Sequence, residues 1–209
     1  MRRLTSVFVI SLILNGCAVG VVHKYDGILP NIQVKTNKKV AVGALDQRPY
    51  IINKDKPENF VGLQRGGYGN PFDVITQSGQ SLASEFGRTI SRGLKKKGIV
   101  VENVNLKPSP GISEAKILLR KTGSDRLIIL TIAEWKSDTY TRTALIYRVR
   151  LEVLDKKFRI LASKDLIGKD NLGGNFLNPP AHAKKVVPKA FQEKLEELFQ
   201  DPSIINVLR

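Results

Sequence analysis

Cysteine and histidine are scarce in this chain of 209 residues, which has one cysteine and two histidines. A single cysteine excludes an internal disulfide bond, so the fold must be held together by an apolar core. His23 and His182 have no Cys, Asp or Glu at metal-ligand spacing, and no Ser/His/Asp set can be argued from spacing. The glycine-rich segment 62–69 lacks the Gly-Lys-Ser/Thr ending of a phosphate-binding loop. We therefore predict no metal site, no cofactor and no enzymatic activity.

A long hydrophobic run is also missing at the N-terminus, where the apolar stretch extends only from Val7 to Leu14. That is less than half of the roughly 20 residues that a membrane-spanning helix needs. Arg2 and Arg3 precede the stretch and a small residue, Gly16, follows it, an order that is typical of an export signal. We predict that residues 1–16 are a signal peptide. The alternative, a buried N-terminal strand with a chance cysteine, is opposed by the basic start and by the absence of any other cysteine.

The tetrapeptide Leu14-Asn15-Gly16-Cys17 resembles the lipobox of bacterial lipoproteins. In that family a diacylglyceryl group is put on the cysteine thiol, the chain is cut before the cysteine, and the new amino terminus is acylated. The resemblance implies that Cys17 is the lipidated residue, and two lipid signals already give stable membrane anchoring. An Asp after the cysteine tends to retain such proteins in the inner membrane. Ala18 therefore implies the outer membrane, with the domain on its periplasmic face.

The charge of the chain is strongly basic, because 34 Lys and Arg stand against 19 Asp and Glu, a formal net charge of +15. Loss of Arg2 and Arg3 with the signal peptide leaves 32 against 19, or +13. In a cytosolic protein this would suggest nucleic acid, but export argues against that partner. The remaining partners are anionic lipid head groups, peptidoglycan carboxylates or an acidic protein face. A basic surface without any binding role is an alternative.

Periodicity divides the rest of the chain into a tether and one domain. Residues 17–38 show no sustained period and contain Gly20, Gly27 and Pro30, so we predict a lipidated N-terminus and tether. We predict that residues 39–209 form a single periplasmic α/β domain. Strands are predicted at 39–45, from 99, and at 127–132, 144–154 and 158–167, the last three as an antiparallel meander; helices are predicted at about 72–97, at 113–121 and around 187–199. The predicted fold class is α/β, a two-layer domain with a mixed sheet of about five strands and helices chiefly on one face.

Several short motifs occur along this domain. Asp46-Gln47-Arg48-Pro49 ends the first strand, a glycine-containing loop and a long helix closing at Gly98 follow, and Glu134-Trp135 and Leu198-Phe199-Gln200-Asp201-Pro202 come later. Together they resemble the YajG-type family of uncharacterised bacterial lipoproteins. That family has no assigned catalytic residues, so the resemblance implies none here. The topology also looks like the small periplasmic domains of outer-membrane lipoproteins that activate peptidoglycan synthases, a likeness of architecture alone.

Five side chains are candidates for partner binding: Asp46, Arg48, Trp135, Tyr140 and Arg142. Asp46 and Arg48 could form a bidentate ion pair. Such a pair either fixes the turn after the first strand or takes part in recognition. Trp135 either packs at the end of its strand or, with Tyr140 and Arg142, anchors an interface, because Trp, Tyr and Arg dominate binding hot spots.

These features favour an outer-membrane-anchored lipoprotein whose domain binds an envelope protein or supports envelope assembly without catalysis. The alternative is a basic module that binds anionic lipid head groups or peptidoglycan. That alternative predicts binding that weakens steeply with salt, because salt screens the attraction between exposed charges.

Overall fold

The computed structural model describes residues 20–209, which form eight strands and five helices. The strands are β1 (Val22–His23), β2 (Val40–Asp46), β3 (Phe60–Arg65), β4 (Pro71–Thr76), β5 (Val101–Asn105), β6 (Arg126–Thr139), β7 (Arg142–Leu154) and β8 (Ile160–Gly174). The helices are α1 (Pro49–Ile52), α2 (Leu82–Lys96), α3 (Ser113–Arg120), α4 (Pro179–Gln200) and α5 (Pro202–Leu208). The predicted signal peptide and Cys17 lie outside the described residues.

One mixed sheet contains all eight of these strands, and β6 is its central member. One edge of β6 pairs with β7 along nearly its whole length, and β7 pairs with β8, so the predicted antiparallel meander is present. The other edge pairs in parallel with β2 over its first half and with β3 near its end. Beyond β2 lies β5, and beyond β3 lie β4 and then β1. The mixed α/β class is confirmed, with eight strands in place of about five.

Helices cover the two faces of the sheet unequally. The larger core lies under α2, α4 and α5 and contains Phe86, Trp135 and Phe191. The smaller core lies on the opposite face, where Leu119 of α3 packs with Leu127. Three of the four longer helices therefore share one face, as predicted.

Helix α2 begins ten residues later than its pattern suggests. It starts at Leu82, after Ser81, whose hydroxyl accepts a hydrogen bond from the backbone of Ser84 at 3.2 Å. Gly79 has a φ of +71°, a left-handed conformation that allows the chain to turn between β4 and this cap. The prediction of helix from about residue 72 is wrong because β4 pairs with β3 there.

The prediction that residues 17–38 form a tether is wrong for most of the described part. Tyr25, Ile32 and Val34 are at most 1% exposed and belong to the larger core. β1 extends the sheet by pairing in parallel with β4. The sequence pattern does not reveal this packing, because a segment that is neither a helix nor a long strand has no regular period. The segment is nevertheless stabilised against the core by the burial of three separate apolar side chains. The packed domain therefore includes residues that precede position 39.

The last predicted helix, around residues 187–199, is longer in the structure, where α4 extends over Pro179–Gln200. α4 begins after Asn178, whose side chain accepts a hydrogen bond from the backbone of Ala181, and Pro188 lies inside it. α5 follows directly, with Asp201 as its N-cap. Within residues 20–209, no helix is both long enough and apolar enough to span a membrane.

Candidate binding site

A buried ion pair lies where β2 ends and α1 begins. Nε of Arg48 donates to Oδ1 of Asp46 at 2.9 Å, and its Nη2 donates to Oδ2 at 2.7 Å. Both side chains are at most 1% exposed. The bidentate pair considered from the sequence is present, but burial makes both residues inaccessible to a partner. Their direct role in recognition is therefore excluded, and they act as structural elements.

Arg48 also holds the chain that leads into β3. Its Nη1 donates to the carbonyl oxygen of Phe60 at 2.6 Å, and its Nη2 donates to that of Glu58 at 3.3 Å. Burial alone would lower the pKa of Arg48, but the hydrogen bonds and charge of Asp46 outweigh it, so the pKa is raised. The guanidinium is thus a permanently charged brace between two loops.

Tyr50 and Glu134 extend this network towards the surface. The Tyr50 hydroxyl donates to Oε1 of Glu134 at 2.5 Å, and the same oxygen accepts the backbone N–H of Trp135 at 3.0 Å. Glu134 follows an irregularity in the β6–β7 pairing after Ile132, which turns its side chain towards α1. Burial, above all, raises the pKa of Tyr50, so this hydroxyl remains a proton donor.

Trp135 is a core residue. Its side chain is fully buried, and its ring lies 5.0 Å from that of Phe86 and 5.8 Å from that of Phe191, measured between centroids. Its indole N–H donates to the Tyr25 hydroxyl at 3.3 Å. The hypothesis that Trp135 anchors an interface is therefore wrong, because no part of its ring reaches the surface.

Tyr140 and Arg142 lie elsewhere, at the turn between β6 and β7, and both are exposed. The Tyr140 hydroxyl donates to the carbonyl oxygen of Gly67 in the β3–β4 turn at 3.0 Å. The five side chains predicted to bind a partner thus do not form one surface. Three are internal, and two are exposed at one end of the sheet.

An open cleft of about 800 Å³ lies beside the buried pair. Its walls are α1, the segment after it and the loop after β5, including Ile51, Lys54, Asp55, Lys56, Glu58 and Lys107. β2 and β5 are parallel, so both loops leave from carboxyl ends of strands, the edge at which open α/β sheets bind ligands. We call this feature the lysine cleft.

The lysine cleft carries charge of both signs, because three lysines line it together with the carboxylates of Asp55 and Glu58, which make no ion pair within residues 20–209. Lys56 binds both carboxylate oxygens of Asp73, at 2.6 and 2.8 Å. Lys54 and Lys107 are exposed and make no ion pair with any residue in 20–209. The sequence did not indicate this site, because its lysines lie in loops without a motif and about fifty residues apart. Their proximity follows only from the pairing of β2 with β5.

His23 and Glu85 are titratable side chains that are buried in the core. His23 shares a 2.9 Å hydrogen bond with the Ser137 hydroxyl, but both are at most 1% exposed, so no substrate can reach them. Glu85 is also buried and interacts with Ser78 and Arg88. In the described part of the chain, no group of three His, Cys, Asp or Glu side chains could hold a metal ion.

Comparison with known proteins identifies structural relatives only. No family model matches the chain, and no curated protein matches it in sequence. Protein XCC0632 of Xanthomonas campestris, from the family DUF330, is similar with a TM-score of 0.50 and 14% identity, covering 88% of this chain and 96% of that one. An uncharacterized protein is similar with a TM-score of 0.51 and 9% identity, covering 87% and 97%.

Bacterial lipoproteins also occur among the structural neighbours. Lipoprotein GNA1162 of Neisseria meningitidis matches with a TM-score of 0.32 and 12% identity, over 75% of this chain and 99% of that one. At such identities the first two structures show a shared fold alone, and the third is too distant to support an argument. Membership of the YajG-type family stays a prediction.

Proposed function

We propose that this chain is a bacterial envelope lipoprotein, anchored to the outer membrane by lipid on Cys17 and facing the periplasm. The support is the order of basic, apolar and small residues in 1–16, the lipobox that ends at Cys17, and Ala18 after it. Removal of residues 1–16 would leave Cys17 only five positions before Val22, the first residue of β1.

We infer that the domain is a non-catalytic binding or assembly module, and that the lysine cleft receives an acidic segment of an envelope protein. The observation that carries this is the position of the cleft. It lies at the carboxyl ends of β2 and β5, and Arg48 braces one of its walls through the Glu58 carbonyl. A braced wall lowers the conformational entropy that binding would otherwise cost. Lys54 and Lys107, which have no acidic partner in 20–209, supply charge that carboxylates would complement.

The second candidate function is binding of anionic lipid head groups or peptidoglycan through the excess of positive charge. The charge of +13 that remains without Arg2 and Arg3 favours it. The two functions differ in salt dependence, because a diffuse electrostatic attraction is screened within about 8 Å at physiological ionic strength, whereas a packed protein interface retains apolar contacts.

Photo-crosslinking in cells tests the first function. A photoreactive phenylalanine analogue would replace Lys54 or Lys107 in the full-length lipoprotein. Lys157, which is also exposed and lies in the turn between β7 and β8, is the matched control. We expect both cleft positions to give an adduct of the same mass and Lys157 to give none. The captured protein, identified by mass spectrometry and purified, should bind the wild-type domain and bind a Lys54→Glu/Lys107→Glu variant more weakly.

Three results would contradict the proposal. An adduct that forms equally well from Lys157 would show that the cleft is not the site. Capture of only lipid or peptidoglycan fragments, with binding that disappears at high salt, would favour the second function. Turnover of an envelope substrate by the purified domain would refute a non-catalytic role.

A further inference from the structure

The exposed aromatic side chains of residues 20–209 all lie at one end of the sheet. They are Tyr68, Phe72, Tyr140 and Phe176, which are 104%, 50%, 46% and 84% exposed, and the neighbouring Leu177 is 92% exposed. We call these five side chains the apolar tip. Scattered apolar residues are normal on a protein surface, but a cluster of this kind marks an interaction site.

Strand directions place the five side chains at the same end of the sheet. β3 ends and β4 begins at the turn that carries Tyr68. β3 runs parallel to β6, so the turn after β6, which carries Tyr140, lies at the same end. β8 also ends there, because Gly174 pairs with Arg142, and Phe176 and Leu177 follow at once.

The apolar tip is an ordered platform. The two turns are joined by the hydrogen bond from Tyr140 to the Gly67 carbonyl. Arg65 binds both oxygens of Asp138 at 2.8 and 2.7 Å, which ties β3 to β6 directly below the turns. The Asn175 side chain accepts the backbone N–H groups of the two residues after Phe176, at 2.9 and 3.0 Å. These contacts hold apolar side chains outwards, so their exposure is built into the fold.

The N-terminus enters the domain at this same end. β1 pairs with β4 in parallel, Val22 opposite Ile75, so the start of β1 points the same way as the start of β4 at Pro71. Gly20 therefore lies near the apolar tip. Three further residues lead back to Cys17, and three residues span at most about 10 Å. A lipid on Cys17 would bring the bilayer surface to within that distance of Gly20.

We propose that the apolar tip docks into the lipid bilayer to which Cys17 is anchored, which orients the whole domain on the membrane. This inference rests on the proposed lipid anchor. Aromatic side chains favour the interface between water and lipid, where one part of the ring is apolar and the other polar. Arg142 is exposed beside the tip, and Lys184 and Lys185 lie in the second turn of α4, where lipid phosphates would attract them.

Fluorescence quenching in vesicles tests the orientation. The full-length acylated protein would be reconstituted into vesicles of phosphatidylethanolamine and phosphatidylglycerol. Leu177→Cys would carry an environment-sensitive fluorophore, with the Cys17 thiol already acylated. Ile160→Cys is the matched control, because Ile160 is 54% exposed and begins the strand that ends at the tip. A strand of 15 residues places the two labels about 45 Å apart.

We expect nitroxides on the lipid acyl chains to quench the label at position 177 and not the label at position 160. Adding Tyr68→Ser and Phe72→Ser should reduce the docked-to-undocked ratio about tenfold for each large apolar side chain lost. These residues are exposed, so the variants should fold, and unchanged circular dichroism checks this.

The possible failures can be told apart. Intact mass spectrometry first establishes acylation, and an unmodified Cys17 would overturn both the anchor and the docking. Acylated protein with no acyl-chain quenching at position 177, or with equal quenching at both positions, would overturn only the docking. Quenching by head-group nitroxides alone would show proximity without insertion and would also refute the proposal.

Discussion

Replacement of Arg48 by methionine should destabilise the domain strongly. The change removes the partner of a fully buried carboxylate, since Asp46 and Arg48 are at most 1% exposed. It also removes the Arg48 donor from the carbonyl oxygen of Phe60, and one of two donors from that of Glu58, which keeps the backbone N–H of Leu82 at 3.1 Å. Methionine fills part of the space of the arginine side chain, so the main effect is the loss of charge and hydrogen bonds.

The expected cost follows from burial. Removing one partner of a buried ion pair costs about 3–5 kcal/mol, because it leaves an uncompensated charge in a medium of low dielectric constant. A domain of this size has a free energy of unfolding of about 5–15 kcal/mol. Arg48→Met should therefore remove a large fraction of the stability. Asp46→Leu/Arg48→Met should recover part of it, because no isolated charge remains.

Urea unfolding measures this cost, and the chain supplies its own probe. Trp135 is the only tryptophan and is fully buried, so its fluorescence reports the loss of the core. Arg150→Met is the matched control, because Arg150 binds Asp165 in the same bidentate way, at 2.7 and 3.0 Å, but both side chains are substantially exposed. An exposed pair contributes about 0–1 kcal/mol. Equal effects of the two substitutions would refute the argument that burial of the Arg48 pair sets its contribution.

Two further substitutions test the core. Burial above all lowers the pKa of His23 from 6.5 to about 4. Because the folded state holds this histidine neutral, the free energy of unfolding should be undiminished well above pH 6.5. It should decrease as the pH falls towards 4, by on the order of 2–3 kcal/mol at pH 4.5. Urea unfolding at pH 7 and at pH 4.5 measures this decline in stability. The decline should be smaller in the His23→Gln variant than in the wild type, and an unchanged decline would show that other groups cause it. A Cβ at Gly62 would overlap the Ser137 hydroxyl and lie 2.6 Å from the backbone carbonyl oxygen of Ser137, whereas one at Gly67 would meet nothing within 4 Å. Gly62→Ala should lower the melting temperature by at least several degrees and Gly67→Ala should leave it nearly unchanged, and equal melting temperatures would contradict the close approach of β3 to β6.

The sequence predicted elements whose local pattern matches their burial. Leu82, Phe86, Ile90 and Leu94 recur at every fourth position and all face the core, because a helix with one buried face requires this period. The alternation in β7 predicted a strand for the same reason. The Asp46–Arg48 pair was also predictable, because the two residues are close in sequence.

Other features depend on residues that are distant in sequence. β3 and β4 were missed because a glycine-rich segment carries no alternation, and the role of Gly62 emerges only where it approaches Ser137. The burial of Tyr25 depends on Phe191, whose ring lies 4.6 Å away between centroids although 166 positions separate the two residues. The lysine cleft and the apolar tip are likewise products of strand pairing. No local pattern predicts which loops share an end of a sheet.

Burial of the segment after Gly20 changes the expected reach of the domain. An extended tether over residues 17–38 would allow the domain to sit up to about 75 Å from its lipid, far enough to reach deep into the periplasm. With Tyr25, Ile32 and Val34 in the core, only about 10 Å of chain separates Cys17 from Gly20. An acylated chain would therefore hold its domain against the bilayer. β2 ends opposite Ile132, seven residues before β6 ends at the apolar tip, so the lysine cleft would lie about 25 Å from a membrane that contacts the tip. At this distance the cleft would be within reach of a partner that itself lies at the membrane, and it would also stay open to a partner free in the periplasm.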